Sequence, residues 1–476
     1  MKPIAMLIGG KPVTTPNTFD VLNPATGEAF ARAPAGDASH VDAAVAAARA
    51  AFPAWSRTPE VERKQMLHGL AAALEAHMPE LMELVTRETG KPLNGLNGVG
   101  AGMEVGGAIA WTRVTAELDL PVEVLQDNAE ARIEVHRKPL GVVGSITPWN
   151  WPLMIAIWHV IPALRAGNTV VLKPSELTPV ATARFAELAN DILPPGVLNL
   201  VTGAAGSEVG PAMAAHPGID KIVFTGSTVT GKKIMANAAG NLKRLTLELG
   251  GNDAGIVLPD VDVKAIAPRL FGVAFHNSGQ TCACLKRLYV HDSIYEELCA
   301  ELARLAEGTV VGDGMDPDTQ LGPVQNAAQL AKVEALAEDA RARGGRFLCG
   351  GRRRPGPGYF FEPTVVADLA EGTRLVDEEP FGPILPVIRY SDLDEVIRRA
   401  NDNPNGLGGS VWSSDPARAA ALALRLECGT AWVNEHGAIQ PDAPFGGVKQ
   451  SGIGVEFGRY GLEEYTSIQT LKIMKG

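Results

Sequence analysis

From Gly141 the chain alternates short apolar runs with stretches of helical character. GVVGSIT (141–147), NTVVLKP (168–174), GVLNLVTG (196–203) and DKIVFTG (220–226) read as buried strands, and segments 152–166, 178–190 and 207–215 between them read as helices. This alternation predicts a parallel sheet wound with helices on both faces, whose ligand lies beyond the carboxyl ends of the strands. A second alternating block starts near AGIVL (254–258). It continues through RLYVH (287–291) and the helix after it, ILPVIRY (384–390) and GTAWVN (429–434), and predicts a second α/β domain. Before Gly141 the chain is mainly helical: Val41 to Phe52 is alanine-rich after Asp37 and Ser39, and Glu60 to Ala76 is rich in good helix formers. Segments 117–138 and 465–475 alternate like exposed strands outside both blocks. Each is expected to pair with the other or with another subunit, as an oligomerisation flap. The glycine-dense stretch Gly95 to Gly107 fits either a packed helix crossing or a loop.

Composition narrows the class. A chain of 476 residues, 46% hydrophobic with a mean hydropathy of +0.04, has apolar surface for several cores and a length that suggests about three domains. Its 43 Lys and Arg against 54 Asp and Glu leave a net charge of −11, without the basic surplus that nucleic-acid binding requires. The longest apolar stretch, Leu153 to Leu164, is interrupted by His159 and Pro162 and is shorter than the ~20 residues that span a bilayer, so no membrane partner is expected. Ile4 to Ile8 stops at Gly9-Gly10 without the length or cleavage site of a secretory signal, and the expected address is the cytoplasm. Five cysteines (282, 284, 299, 349 and 428) contain no Cys-x-x-Cys pair, which indicates neither a disulfide framework nor a metal site.

Candidate chemistry lies at the turns. In TPWNWP (147–152), Asn150 sits in a turn held by Pro148 and Pro152, where it offers an amide to an oxyanion or bonds its own backbone. In KPSE (173–176), Glu176 either accepts ribose hydroxyls or caps a helix together with Ser175; as a ribose contact it repels a 2′-phosphate and favours NAD over NADP. FTGSTVTG (224–231) turns through Gly226 to Ser227, which opens a helix whose free N–H groups and dipole suit a pyrophosphate. In LELGGND (247–253), Glu248 lies between the two blocks, as a general base or as half of an inter-domain ion pair. In NSGQTCACLKR (277–287), Cys282 follows a glycine-containing turn, as a nucleophile or as a buried small hydrophobe. The nearest histidines, His276 and His291, form no recognisable triad with it, which disfavours a cysteine hydrolase.

In this order and spacing the segments resemble the NAD(P)-dependent aldehyde dehydrogenase superfamily over almost the whole chain. The most specific elements are PWNWP, LELGG, GQTC, EEPFGP (378–383) and PFGGVKQSG (444–452). The resemblance implies an α/β fold with a Rossmann-like parallel-sheet NAD-binding domain (1–116 and 139–249), a second α/β catalytic domain (250–447) and a small β oligomerisation region (117–138 and 448–476). It implies oxidation of an aldehyde to the acid, with Cys282 as nucleophile, the Asn150 amide and Cys282 N–H holding the oxyanion, Glu248 activating water, and Lys173 in the catalytic set. Lys173, Glu176, Gly226 and Ser227 match adenosine and phosphate contacts, and Glu379 and Phe381 match nicotinamide-ribose contacts. Thr147, Trp149, Leu249, Gln329 and Lys332 match further cofactor positions. Glu248 is present where members that hand the acyl group to coenzyme A commonly lack a base, which favours hydrolytic release. Cys284 departs from the commonest pattern and either resolves an oxidised Cys282 or fills space.

By the family pattern the substrate tunnel is lined by Trp151, Ile155, Trp158, Thr281, Ala283, Ile439 and Phe445. With no arginine among them, a carboxylate-bearing semialdehyde lacks its usual charge partner, and a neutral aromatic or medium-chain aliphatic aldehyde fits better. Several of these side chains, Trp158 above all, read equally as core. The aromatic lining, with Asp442 and Glu435, also leaves room for a cationic aminoaldehyde. Other readings are an inactive NAD-binding or structural member of the fold, against which intact Cys282, Glu248, Asn150 and Glu379 argue, and NADPH-driven reduction of an activated acyl group. Free-edged flap strands predict a homodimer or homotetramer.

Overall fold

The computed structural model describes residues 4–475, so the predicted segments 1–116 and 448–476 extend beyond it by residues 1–3 and 476. Eight strands form the first sheet, in the order Lys11–Val13, Met6–Ile8, Leu198–Leu200, Thr169–Lys173, Val142–Ile146, Lys221–Thr225, Arg244–Glu248 and Gly452–Ile453. The five strands from Leu198–Leu200 to Arg244–Glu248 are parallel, and antiparallel strands close both edges. Following the chain from Val142–Ile146, the next two strands add on one side and the following two on the other. Strand order therefore reverses between Val142–Ile146 and Lys221–Thr225, where the connections leave in opposite directions and open a crevice beyond the carboxyl ends. Arg244–Glu248 joins the four predicted strands; its alternating RLTLE pattern is no continuous apolar run.

Successive strand residues face different layers. Val170 and Leu172 enter the core shared with helices Glu60–Ala76, Ala101–Glu117, Pro152–Arg165 and Val180–Asn190, whereas Val171 packs with Ala38–Trp55 and Val209–Ala215. Burying each such side chain contributes roughly 1.5–3 kcal/mol, so a one-residue slip of any central strand exchanges two full layers. Helix Pro152–Arg165 is buried along nearly its whole length, which explains its lack of a polar face.

The second sheet runs Arg346–Cys349, Thr364–Ala367, Ile384–Tyr390, Leu285–His291, Asp253–Val257, Gly408–Trp412, Thr430–Val433, all parallel except the first. Thr364–Ala367 and the glycine-rich Gly408–Trp412 add to the predicted strands. The four residues 249–252 link the two sheets, so Glu248 ends one and Asp253 begins the other.

Glu123–Asp127, Ala131–Pro139 and Thr466–Met474 make a three-stranded antiparallel sheet, the last two in register from Thr466 opposite Pro139 to Met474 opposite Ala131. The two flap segments thus pair with each other. Gly452–Ile453, also within 448–476, pairs with Arg244–Glu248 of the first sheet. The glycine-dense stretch resolves into a single turn, Leu96–Gly98, followed by helix Ala101–Glu117. Among the described residues no helix is long and apolar enough to cross a membrane.

Candidate active site

Helix Val263–Phe275 stops before a strained bend. Asn277, Ser278 and Gly279 all take positive φ (51°, 55° and 71°), a conformation costly for Asn and Ser that persists only when the surroundings fix it. Ser278 Oγ donates to the Gly322 carbonyl (2.7 Å), Gln280 Nε2 donates to the Asn277 carbonyl (3.0 Å), and Gln280 Oε1 accepts the Gln325 N–H (2.8 Å). A side chain on Gly279 would collide with the Gly382 carbonyl. The bend delivers Cys282, half-buried, to the junction between the two sheets, just ahead of strand Leu285–His291.

Two cavities meet there. A cleft of about 180 Å³ is walled by Pro148, Trp149, Asn150, Thr225, Gly226, Ser227, Leu249, Gly250, Gln329, Lys332, Glu379 and Phe381 together with Cys282, and so occupies the strand-order reversal. An apolar tunnel of about 260 Å³ is walled by all seven predicted side chains, Trp151, Ile155, Trp158, Thr281, Ala283, Ile439 and Phe445. Cys282 is the residue common to both. Met103, Trp111, Met154 and His276 also line the tunnel, and among the described residues no Lys, Arg, Asp or Glu does; Glu435 and Asp442 lie outside it. Burial pushes the His276 imidazole down to about 4, so it is neutral, and its Nδ1 donates to the Gly272 carbonyl (3.1 Å). A roomier open depression of about 560 Å³, beside Cys349 and Arg352 at the outer strand of the second sheet, contains none of the predicted residues.

In the cleft, Ser227 caps helix Thr228–Ala238, its Oγ accepting the Thr230 N–H (3.3 Å). The Trp149 and Phe381 rings meet edge to face at 5.4 Å. Phe381 has φ 49°, and Gln329 Nε2 holds its loop by donating to the Pro380 and Phe381 carbonyls (2.9 and 3.0 Å). Glu379 Oε1 accepts from Lys286 Nζ (2.5 Å) and the Gly251 N–H (3.2 Å). Burial lowers the pKa of Lys332. Thr147, Lys173 and Glu176 stand outside this wall, at the carboxyl ends of Val142–Ile146 and Thr169–Lys173. Lys173 Nζ donates to the Pro174 carbonyl (2.9 Å), and burial lowers its pKa against the pull of Glu176. The helix-cap reading of Ser175 and Glu176 fails, because the next helix begins at Val180.

Asn150 Nδ2 donates to the Gln280 carbonyl (2.9 Å), not to its own turn, and one amide hydrogen remains to be given. Its backbone carbonyl accepts from Lys91 Nζ (3.0 Å) and Asn277 Nδ2 (3.2 Å). Lys91 is fully buried, ion-paired with Glu104 and 3.3 Å from the Trp151 ring centre; burial draws its pKa down to about 8. Glu104 accepts the Leu153 and Met154 N–H groups (3.0 and 3.3 Å), so this pair ties the PWNWP turn to its helix. Sequence reasoning missed both residues because buried charge leaves no periodic signal.

Glu248 is 4% exposed, and among the described residues neither carboxyl oxygen has a hydrogen-bond or ion-pair partner, which argues against the salt-bridge reading. Burial, aided by Glu456, raises its pKa well above the usual carboxylate range, and the carboxyl lines neither cavity. Burial likewise pushes the Cys282 thiol up to about 12, opposed by Lys286 and reinforced by the Glu248, Glu379 and Asp253 carboxylates. Among the described residues no acceptor takes the Cys282 N–H. The Cys284 thiol donates to the Val273 and Ala274 carbonyls (3.0 and 3.1 Å) and lines neither cavity, so its geometry is that of a space-filling residue.

This fold of a doubly wound sheet and a second α/β domain matches solved aldehyde dehydrogenases with TM-scores of 0.96 and 0.95. The chain belongs to the aldehyde dehydrogenase family, whose model matches residues 12–471, and is an oxidoreductase that oxidises aldehydes with NAD(P). Phenylacetaldehyde dehydrogenase of Pseudomonas fluorescens is 40% identical over 489 residues, covering 99% of this chain and 96% of its own. The mitochondrial succinate-semialdehyde dehydrogenase of Arabidopsis thaliana is 41% identical over 470 residues, covering 97% and 88%. An NAD+ complex of aldehyde dehydrogenase from Bacillus cereus matches with a TM-score of 0.96 at 35% identity, covering 99% and 97%.

Proposed function

We propose that this protein is an NAD-dependent, hydrolytic aldehyde dehydrogenase for neutral aromatic or medium-chain aliphatic aldehydes. The observation that carries the reading is the position of Cys282, shared by the cleft at the strand-order reversal and the apolar tunnel. A thiol there meets an aldehyde arriving through one cavity and faces a hydride acceptor held in the other. The cleft fits a dinucleotide: Ser227 opens a helix with free N–H groups for a pyrophosphate, and Glu379 keeps one carboxylate oxygen for ribose hydroxyls. Gly226, Trp149, Leu249, Gln329, Lys332 and Phe381 frame the remainder, with Thr147, Lys173 and Glu176 beyond its wall toward the adenosine; Glu176 supports NAD because it repels a 2′-phosphate. When bound, the nicotinamide supplies the hydride acceptor.

The chain's own groups do the rest. Cys282 Sγ releases its proton to solvent and bonds to the aldehyde carbon, and the oxyanion accepts hydrogen bonds from the free Asn150 amide hydrogen and the Cys282 N–H. Loss of hydride from that carbon leaves a thioester on Sγ. Glu248 turns out of its burial, takes a proton from water, and the hydroxide displaces Sγ to give the acid. Aldehyde, water and NAD become acid, NADH and a proton.

The wall without charge supports the substrate class: phenylacetaldehyde, named for the Pseudomonas relative, belongs to it, whereas succinic semialdehyde brings a carboxylate with no cation to meet. Exposed Val124, Leu125, Ile468, Leu471, Ile473 and Met474 on the flap support a homodimer or homotetramer, and the sparse unpaired cysteines support a cytoplasmic address. The test is aldehyde-dependent NADH formation with a higher kcat/KM for phenylacetaldehyde than for succinic semialdehyde, abolished in Cys282→Ala while NAD binding persists. Undiminished turnover in that variant overturns the mechanism, and preference for the semialdehyde overturns the substrate class.

A further inference from the structure

Directly beneath the nucleophile lies a charge that the mechanism above does not use. Lys286, the second residue of strand Leu285–His291, is 2% exposed, and its ammonium donates to three oxygens: Glu379 Oε1 (2.5 Å), the Cys282 carbonyl (2.5 Å) and the Gly251 carbonyl (3.1 Å). Those oxygens belong to three separate parts of the site: the EEPFGP loop, the nucleophile turn and the link between the sheets. A buried ammonium with three partners in this geometry is committed to them, because releasing any one leaves charge unpaired away from water. Glu379 Oε1 is saturated by Lys286 and the Gly251 N–H, and among the described residues nothing occupies its second oxygen, which points toward the bare face of Gly250 in the cleft.

The charged groups that act on the Cys282 thiol are Lys286, Glu248, Glu379 and Asp253, with His436 Nε2 in turn 3.5 Å from Asp253. Three are carboxyls that disfavour a thiolate. Lys286 is the cation among them, and the Glu379 and Asp253 carboxylates keep it charged despite its burial.

Building on the reading of Cys282 as nucleophile and Glu379 as a cofactor contact, we propose that Lys286 is a positioning residue serving both halves of the site. It fixes Glu379 so that one oxygen is presented to the cofactor cleft, and it sets a positive charge beside the turn that carries the nucleophile. A purely structural lysine would contribute folding stability alone. A positioning lysine also sets the acidity of the thiol and the hold on the dinucleotide.

The experiment alkylates the full-length protein with iodoacetamide, a neutral probe, without aldehyde. The rate at Cys282 is followed across pH by mass spectrometry, and NAD binding is titrated separately. Lys286→Met is expected to shift the alkaline rise of alkylation upward by about one pH unit, about tenfold slower at a fixed pH below it, and to weaken NAD binding about tenfold. Glu379→Gln removes a carboxylate and leaves the lysine, so the rise should move to lower pH; Lys286→Arg keeps the charge and should hold the alkylation profile near the parent's. Shifts of the same sign in Lys286→Met and Glu379→Gln, or no shift in either, overturn the proposal. If Lys286→Met does not fold, the direction in Glu379→Gln decides alone, and an upward or absent shift overturns it. A parent that forms no NADH from any aldehyde, yet shows the opposed shifts, defeats the proposed function while supporting the part assigned to Lys286.

Discussion

The cleft and the tunnel share one sulfur atom and little else. The cleft is held by strained backbone and buried charge: Phe381 at φ 49°, the left-handed run Asn277 to Gly279, and the ammonium of Lys286 between Glu379 and two carbonyls. The tunnel is held by packing, with Trp158 against Phe457 at 4.8 Å and Trp111 against Trp158 at 5.8 Å, and its single titratable wall residue besides Cys282 is a neutral histidine. Electrostatic preorganisation acts on the reacting atoms of every aldehyde, whereas packing acts on the part of the substrate that does not react. Changes on the cleft side should therefore slow all aldehydes alike, and changes in the tunnel should reorder them.

The largest break of that comparison is Glu248→Gln. It should lower steady-state kcat about 10³-fold for every aldehyde while leaving a first-turnover burst of NADH, since hydride loss precedes the step that needs the base. Burial, with Glu456, raises the pKa of this carboxyl well above the usual carboxylate range, so parent kcat should climb with pH as Glu248 ionises, and the variant should lose that climb. Stability moves the opposite way. Above about pH 4.5 the unfolded chain releases this proton while the folded chain keeps it, so Glu248 subtracts stability as pH rises toward its folded pKa. Thermal melts should place the variant's Tm above the parent's at about pH 8 and level with it at about pH 4, where both states hold the proton.

Asn150→Ala is the next in size. In the proposed mechanism this removes one oxyanion donor and should cost about 10²–10³-fold in kcat/KM, equally for aromatic and aliphatic aldehydes, with NAD titrations unchanged. A loss that depended on the aldehyde would mean that the Asn150 amide reads the substrate's shape, and the division between cleft and tunnel would fail at that residue.

The same division decides what was legible in the chain. Cys282, Asn150, Glu248 and Glu379 stand in short turn motifs whose glycines and prolines announce a special backbone, and the two parallel sheets follow from apolar runs. The tunnel side is harder, because helix faces supply its walls. Met103, Gly107 and Trp111 recur every four residues along Ala101–Glu117, and Gly107 lets Met154 of the neighbouring helix come close; that spacing was the available signal, hidden by the glycines around it. Trp158 reads as core because a tunnel wall and a core share one chemistry. Lys91, Glu104 and Lys286 escape for the converse reason: a buried ion pair is set by tertiary partners, and sequence alone puts such residues at the surface.

The finest test moves only the tunnel. Ile439 is half-buried in its wall, so an arginine there can bring its guanidinium into the cavity without opening the close-packed Trp158 cluster. Ile439→Arg should raise kcat/KM for succinic semialdehyde relative to phenylacetaldehyde by about 10- to 100-fold, the range a charge-assisted contact at a fixed carboxylate supplies. The KM for NAD and the pH profile of kcat should stay where they are, because Glu379, Lys286 and Glu248 are untouched. If the cofactor's KM moved together with the aldehyde ranking, the two cavities would be energetically one, joined through Cys282. If the ranking did not move at all, the wall near Ile439 would lie beyond the reach of the carboxylate, and selectivity would belong to the inner residues Trp158 and Phe445.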